Sequence, residues 1–359
     1  MYNTAIEILK KIEKNGFVAY IIGGFVRDKY LGINSNDIDI CTNATPKDLK
    51  KIFGMENIKN VNYGSLTLFL KNNHYEITTF RKEIEYKRNR VPSKITYIDS
   101  LEEDVVRRDF TINTICIDKN NNTIDLLNGR NDLDNKLIKM VGDPFIKIEQ
   151  DSLRILRAIR FATRLNFKIE EQLFKAIKKY AYLVKDLSFY RKKQELDKIF
   201  SSPNNKYGID LLKKSHVDKY LDINLDNIKY TDDLLGIWSQ INPDNYSFTK
   251  HEKETIERIN YLKDKELTDY ILYKDGLYIS SIVADIKGLN RKNLISRYDN
   301  LPIHSKKDIC IKTIDICNIL DIEPIKAKDI FNDIEKAIID NKVINDYDNI
   351  KNYLEKHFK

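Results

Sequence analysis

The sequence predicts a mixed α+β head followed by an all-helical body. Over roughly the first 125 residues, short extended runs alternate with helical periods. From about Pro144 apolar residues recur at three- and four-residue steps as far as Leu354, and no internal repeat interrupts either pattern. The chain has 359 residues, 42% of them hydrophobic, which at very roughly 150 residues per domain gives two or three units with ample core. Lys and Arg number 61 against 54 Asp and Glu, a surplus of +7 that permits an acidic partner without demanding one. Abundant Ile, Leu, Phe and Tyr exclude a disordered chain, and 12 Gly with 7 Pro exclude a collagen-like or linker-dominated one. Apolar stretches such as residues 17–25 fall far short of the ~20 residues a membrane helix needs. Glu7 and Glu13 inside the first helical pattern leave no signal-peptide core. Cys41, Cys116, Cys310 and Cys317 lack metal-ligand spacing and sit in apolar or strand-like surroundings, so they are expected to be reduced core thiols of a cytosolic protein.

Along the chain, Ile6, Ile8, Leu9 and Ile12 lie near helical spacing over residues 4–14. An apolar run at 17–22 ends at Gly23-Gly24, so a strand, a glycine turn and a helix over 25–31 follow one another. Residues 37–41 alternate charged and apolar side chains with period two, the mark of a strand with one wet face. Thr45 and Pro46 start a helix as N-cap and first helical residue. Residues 66–70 and 75–80 read as paired strands around a turn at 71–74. Residues 81–92 are polar and charged without an apolar period and are expected to form a mobile loop. Residues 111–118 and 123–127 suggest a further strand pair joined by an Asn-rich turn. Helices are then expected over 144–165, 169–183, 188–200 and 207–213, and the same period continues past polar breaks near Pro203, Pro243, Pro302 and Pro324.

Two small clusters carry possible chemistry. Gly23-Gly24-Phe25-Val26-Arg27-Asp28 stands where a strand passes into a helix. Glycines there let the backbone approach a phosphate, the free N–H groups of a helix start favour an anion, and Arg27 can add a forked contact. For a lone Gly-Gly the plainer reading is a tight turn with a solvated arginine. Asp37 and Asp39, two apart on one strand, project both carboxylates from one face. Hard-oxygen ligation of Mg²⁺ is the usual way to offset such repulsion. Glu76 on a neighbouring strand is the candidate third acid of a site where two ions about 4 Å apart activate a hydroxyl and stabilise a pyrophosphate leaving group. Taken singly, each of these acids is more often a surface residue.

The combination is far more specific. Gly-Gly-x-x-Arg-Asp, a short spacer and Asp-x-Asp form the signature of a polymerase-β-like nucleotidyltransferase head. Further on come Arg107-Arg108-Asp109-Phe110-Thr111-Ile112-Asn113, then Asp125-Leu126 with Gly129 and Asp132-Leu133, then Asp151-Ser152-Leu153-Arg154-Ile155-Leu156-Arg157-Ala158-Ile159-Arg160-Phe161. In this order and spacing the sequence resembles the class II tRNA nucleotidyltransferase (CCA-adding enzyme) and bacterial poly(A) polymerase family over about residues 20–200. Residues 301–337 resemble, more weakly, the tRNA-contacting tail of Bacillus-type CCA-adding enzymes.

The resemblance implies an α+β catalytic head with a small mixed β-sheet over residues 1–143, then an elongated all-helical remainder. That remainder comprises a neck at 144–202 with the base-reading helix, a body at 203–300 and a tRNA-binding tail at 301–359. It implies template-independent addition of CCA to tRNA 3′ ends from CTP and ATP, with Mg²⁺ as cofactor. Asp37 and Asp39 would hold the metal and Glu76 would assist activation of the 3′-hydroxyl. Gly23, Gly24, Arg27, Arg108, Asp109, Asp151, Arg154, Arg157 and Arg160 would bind the nucleotide, Arg108 and Asp109 serving ribose and triphosphate. The tRNA would be held by shape and phosphate contacts. A cytoplasmic protein is implied, with no membrane and no obligatory protein partner, and five scattered histidines suggest no fused phosphohydrolase.

Asp151 and Arg154, three apart on a helix, would share a face, an acceptor-only group beside a donor-only one. Cytosine and adenine each present an amino donor beside a ring-nitrogen acceptor, whereas uracil and guanine present a carbonyl beside a ring N–H. Such a pair matches the first two bases and sets like against like for the others. Outside this motif an Asp-x-x-Arg is more commonly a surface salt bridge. Two departures from the family pattern stand out: Gln150 where the family usually has Glu, and Ser188-Phe189-Tyr190-Arg191 for Ser-x-Glu-Arg, with Glu195-Leu196 kept. Within the family, A-only addition, CC-only addition and poly(A) synthesis remain alternatives. The length of the 81–92 segment argues against a CC-only enzyme, in which it is typically shortened.

Overall fold

Helix α1 (Tyr2–Lys14) buries Ala5, Ile8, Leu9 and Ile12 along one face, as their spacing requires. Next come β1 (Ala19–Ile22), α2 (Gly24–Tyr30), β2 (Asp39–Thr42) and α3 (Pro46–Phe53). At the start of α3 the Thr45 hydroxyl accepts from the Asp48 N–H at 3.3 Å, and the Asp48 carboxylate accepts from the Thr45 N–H at 3.1 Å. The head continues through β3 (Ile58–Asn62), β4 (Ser65–Leu70), β5 (Asn73–Thr79), β6 (Arg81–Lys87), β7 (Val91–Tyr97) and α4 (Leu101–Val106). It closes with β8 (Cys116–Ile117), β9 (Thr123–Ile124), α5 (Gly129–Asp134) and β10 (Leu137–Ile138). This computed structural model describes residues 1–62, 64–87, 91–241 and 244–359.

A seven-stranded mixed sheet, in the order β3-β4-β5-β2-β1-β8-β9, is the frame of the head. β2 and β5 run parallel while the other neighbours are antiparallel. Ile22, Cys41, Phe80, Leu101, Val105 and Cys116 form one of its buried clusters.

Helices α6 (Pro144–Gln150) and α7 (Leu153–Leu165) follow. A short strand β11 (Lys168–Ile169) pairs in parallel with β10, and α8 (Glu171–Tyr180), α9 (Phe189–Phe200) and α10 (Asn205–Lys214) complete the first compact unit, Met1–Asn224. The second unit, Leu225–Lys359, contains α11 (Leu234–Trp238), α12 (Lys250–Leu262), α13 (Asp269–Lys287), α14 (Arg291–Asp299), α15 (Thr313–Leu320), α16 (Pro324–Ile339) and α17 (Tyr347–Phe358). It holds two apolar cores. One gathers Ile259, Leu262, Leu272, Ile282, Val283 and Leu294, and the other Ile316, Ala327, Ile334, Ile338, Ile350 and Leu354.

Several sequence expectations need correction. The expected loop at 81–92 is an antiparallel ribbon, β6 with β7, in register Arg81↔Tyr97 and Lys82↔Thr96; residues 88–90 lie outside the described residues, as does Pro243. The expected continuous helix over 144–165 is broken at Asp151, whose φ of −146° and ψ of 99° are extended. Asp151 therefore precedes the helix that carries Arg154. β2 begins at Asp39, so Asp37 stands in the approach to the strand and not on it. The stretch 111–118 opens with a 3₁₀ turn at Thr111–Asn113 before β8. Of the four thiols, Cys310 is exposed, whereas Cys41, Cys116 and Cys317 are buried.

Candidate active site

Strand register brings the acidic residues together. β1 pairs with β2 so that Ile22 lies opposite Asp39, and β2 pairs with β5 so that Asp39 lies beside Glu76. Paired residues of neighbouring strands share a face. Gly23 follows β1 at φ 86°, and a Cβ there would stand 3.2 Å from the Asp39 carboxylate. Only a residue without a side chain lets the turn close on this acid. Burial first, then the charges of Glu76 and Asp37, push Asp39 up to about 7 against the pull of Arg108. Glu76 accepts a hydrogen bond from Ser65 at 2.8 Å. Asp37, Asp39, Gly23 and Gly24 line a cleft of about 570 Å³.

The same cleft is lined by arginines from four stretches of chain, Arg81 of β6 among them. Arg107, Arg108 and Asp109 follow α4, while Arg154, Arg157, Arg160 and Arg164 come from α7 behind Asp151, and Arg27 comes from α2. Most are held by carboxylates. Buried Asp104, inside α4, binds Arg107 at 2.8 Å and Arg108 at 3.1 Å, the i,i+3 and i,i+4 neighbours one turn on. Asp109 takes two hydrogen bonds from Arg157, at 2.8 and 2.5 Å, and others from Asn113 and the Phe110 N–H. Burial alone would raise the Asp109 pKa, but Arg157 and these donors hold it at about 2. Arg160 pairs with Glu195 of α9 at 2.7 Å, while burial brings its guanidinium down to about 10. Arg27 is buried, with Nε and Nη2 donating to Asp28 and Nη1 to Asn113. The Phe161 ring, edge-on to Phe110, lies under the guanidinium groups of Arg27, Arg157 and Arg160 at 5.1, 5.5 and 4.2 Å.

Asp151 and Arg154 meet despite the helix break. Asp151 Oδ1 accepts from the Leu153 N–H at 3.1 Å, Oδ2 stands 3.9 Å from Arg154 Nε, and Arg154 Nη2 donates to the Arg107 carbonyl at 3.2 Å. Arg154 Nη1 is buried without a partner at the cleft wall. Desolvated donors of this kind are paired when a ligand arrives.

Every predicted nucleotide-binding residue and both predicted metal ligands line the cleft; Glu76 adjoins it through its place beside Asp39. Sequence reasoning missed Asp28, Asp104, Phe161 and Arg164 as parts of the site. Asp28 and Phe161 stand in the motifs, and Asp104 was signalled by its spacing from Arg107 and Arg108.

Among the described residues no group of three His, Cys, Asp or Glu is arranged to hold a metal by itself. The donor chemistry nevertheless fits a hard cation. Asp37 and Asp39 are oxygen ligands with mutually repelling charges, and a Mg²⁺-type site completes its shell from water and substrate phosphates.

A model of the poly(A) polymerase head domain matches residues 19–139, and one described as "Probable RNA and SrmB- binding site of polymerase A" matches 166–222. A model of tRNA nucleotidyltransferase domain 2 matches 245–354. The CCA-adding enzyme of Ligilactobacillus salivarius is 32% identical, with 99% of this chain and 97% of that protein covered. The chain belongs to the CCA-adding enzyme family. A second CCA-adding enzyme, from Listeria monocytogenes, is 33% identical over 98% of each chain. The crystal structure of the Bacillus stearothermophilus CCA-adding enzyme in complex with CTP matches with a TM-score of 0.82 at 25% identity, covering 99% of this chain and 97% of that one. As a member of the CCA-adding enzyme family the chain is a nucleotidyltransferase with a polymerase-β-like head and helical domains after it. No helix among the described residues is long and apolar enough to cross a membrane.

Proposed function

We propose that this chain adds C, C and A in turn to the 3′ end of tRNA, using CTP and ATP, releasing pyrophosphate and needing no nucleic-acid template. The observation that carries this reading is the single cleft that has an acidic pair and a glycine turn on one side and Asp151 with Arg154 on another. The tRNA 3′-hydroxyl attacks the α-phosphorus of the nucleotide, a new P–O bond forms, and the bond to the β-phosphate oxygen breaks. Asp37 and Asp39 would hold Mg²⁺, which supplies Lewis acidity at the phosphates when bound. Glu76, beside Asp39, assists by drawing the hydroxyl proton toward the acidic cluster. The arginines of the cleft offset the charge of the triphosphate, and Asp109 and Arg108 attend to the ribose end.

Base choice rests on Asp151 and Arg154. Asp151, its Oδ1 held by the Leu153 N–H, would accept from the amino group of C or A. The unpaired Arg154 Nη1 is the donor for the ring nitrogen. A carbonyl and a ring N–H in those places would set acceptor against acceptor at Asp151 and donor against donor at Arg154, leaving Nη1 unsatisfied at about 1–3 kcal/mol. A cytoplasmic location accords with Cys41 and Cys116, which lie side by side as free thiols.

The test is incubation with tRNA lacking its terminus and each labelled nucleotide, singly and mixed. CCA is the expected product. A stop after CC, addition of A alone to a CC end, or a homopolymer tail would replace full CCA synthesis with one of the other activities of the family. UTP or GTP incorporated as fast as CTP and ATP would overturn the base-reading assignment.

A further inference from the structure

Arg164 belongs to none of the motifs discussed above, yet it lines the cleft. At about 100° per residue, positions 154, 157, 160 and 164 fall within one stripe roughly 120° wide on α7, so the four arginines face the same way. Arg164 differs from the others in how it is held. Its Nη2 donates to Asp28 Oδ2 at 2.7 Å, while Asp28 Oδ1 already accepts from Nε and Nη2 of Arg27. One buried carboxylate therefore serves two guanidinium groups, and a net positive charge is left over. Arg27 cannot present that charge, because all three of its nitrogens are bound within the protein and it is 1% exposed. The Arg164 side chain is 44% exposed, more than those of Arg107, Arg108, Arg154, Arg157 and Arg160.

Position along the helix indicates what Arg164 meets. Ten residues separate Arg154 from Arg164, about 15 Å along the axis. Arg154 stands at the base-reading end, and Arg164 is tied to Asp28 of α2, the helix that opens at Gly24 beside the glycine turn. A nucleotide laid along α7 with its base at Arg154 extends its phosphate chain toward Arg164. We propose that Arg164, oriented by Asp28, is a further substrate-binding residue that contacts the terminal phosphate groups of the incoming nucleoside triphosphate. This rests on the reading of the cleft as the nucleotide site. A forked guanidinium held at one nitrogen leaves the others free for phosphate oxygens. The same chemistry occurs in the phosphodiester backbone of the tRNA, so the experiment separates the two sources.

Binding of CTP and of CMP to the full chain is measured by calorimetry for the unaltered protein, R164A and R164K, alongside KM for CTP and for tRNA. The expected result is a CTP Kd raised about tenfold in R164A, with CMP affinity and tRNA KM within about twofold of the unaltered protein, and a smaller loss in R164K. CTP affinity unchanged in R164A, CMP weakened as much as CTP, or a raised tRNA KM in place of the CTP effect would each overturn it. Failure of the unaltered protein to bind CTP would instead remove the reading of the cleft itself. A merely structural role would lower the melting temperature of R164A and shift CTP and CMP together, which also overturns the proposal.

Discussion

In the unit Met1–Asn224 the charged side chains of Arg27, Asp28, Asp104, Asp132, Arg154, Arg160, Lys192 and Glu195 are buried, whereas in the unit Leu225–Lys359 Glu335 is the buried charge among the described residues. Glu335 accepts a hydrogen bond from Tyr273 at 2.7 Å and is paired with Lys274 and, at 4.0 Å, with Lys306. Around the cleft the shared carboxylates are several and hold guanidinium groups, Asp104 and Asp28 each holding two arginines. Taking ions out of water is costly and rarely repaid by pairing alone. We propose that this cluster of buried ions is kept because the cleft takes a charged ligand. The second unit shows what the same chain does without that demand: two apolar cores and one tied-down acid.

This contrast can be broken at several points. Asp39→Ala should reduce nucleotide addition by about 10³-fold or more, some 4 kcal/mol in the barrier, while leaving the melting temperature unlowered because it removes a charge that burial and two neighbouring acids disfavour. Unchanged turnover would remove the metal-ligand assignment. Glu195→Ala leaves Arg160 buried and unpaired and should cost about 3–5 kcal/mol of stability. Glu335→Ala in the second unit should cost less, about 1–3 kcal/mol, because Lys274 reaches solvent. Urea unfolding of both variants measures this, and the reverse order would overturn the distinction between the units.

Arg154→Ala should narrow the preference for CTP over UTP by about 10- to 100-fold, read from competing incorporation, without comparable loss of stability. The smallest effect concerns pH. Asp39 binds its proton more tightly folded than unfolded, so without metal its contribution to stability is present at low pH and lost as pH rises from about 4 through about 7. Mg²⁺ should therefore raise the melting temperature by a few degrees more at pH 8 than at pH 5. An equal shift at both would separate metal binding from Asp39.

Much of the site was legible because its residues are crowded into short motifs, each placed by one local element. Gly23, Gly24 and Asp39 needed only a strand, a turn and a second strand, with Asp37 two residues ahead of Asp39 in the approach, and Arg154, Arg157 and Arg160 needed only helical spacing. What escaped depends on partners far apart in sequence. The ties of Asp28 to Arg164 and Arg160 to Glu195 span 136 and 35 positions, and no periodicity encodes them. The β6–β7 ribbon was misread as a loop because a two-stranded ribbon stands apart from the main sheet and needs no sustained apolar alternation. The break at Asp151 was hidden because Asp151 and Ser152 fall where the helical pattern tolerates polar residues, so the apolar period runs through it undisturbed.

Helix α13 carries a conformation foreign to helices: Gly276 has φ 72° and ψ 172°, with nothing within 4 Å of where a Cβ would stand. Space alone would admit any residue there, but the backbone angles admit essentially only glycine. Ahead of this joint Tyr270 and Tyr273 pack on the core of α15, α16 and α17, while Leu272 ahead of it and Ile282, Val283 and Ala284 beyond it belong to the core of α12 and α14. One helix thus has a foot in each core. Its loss from either would expose apolar surface in both, so the two are coupled in unfolding, and hydrogen exchange in α12 and α16 should proceed through one shared opening event.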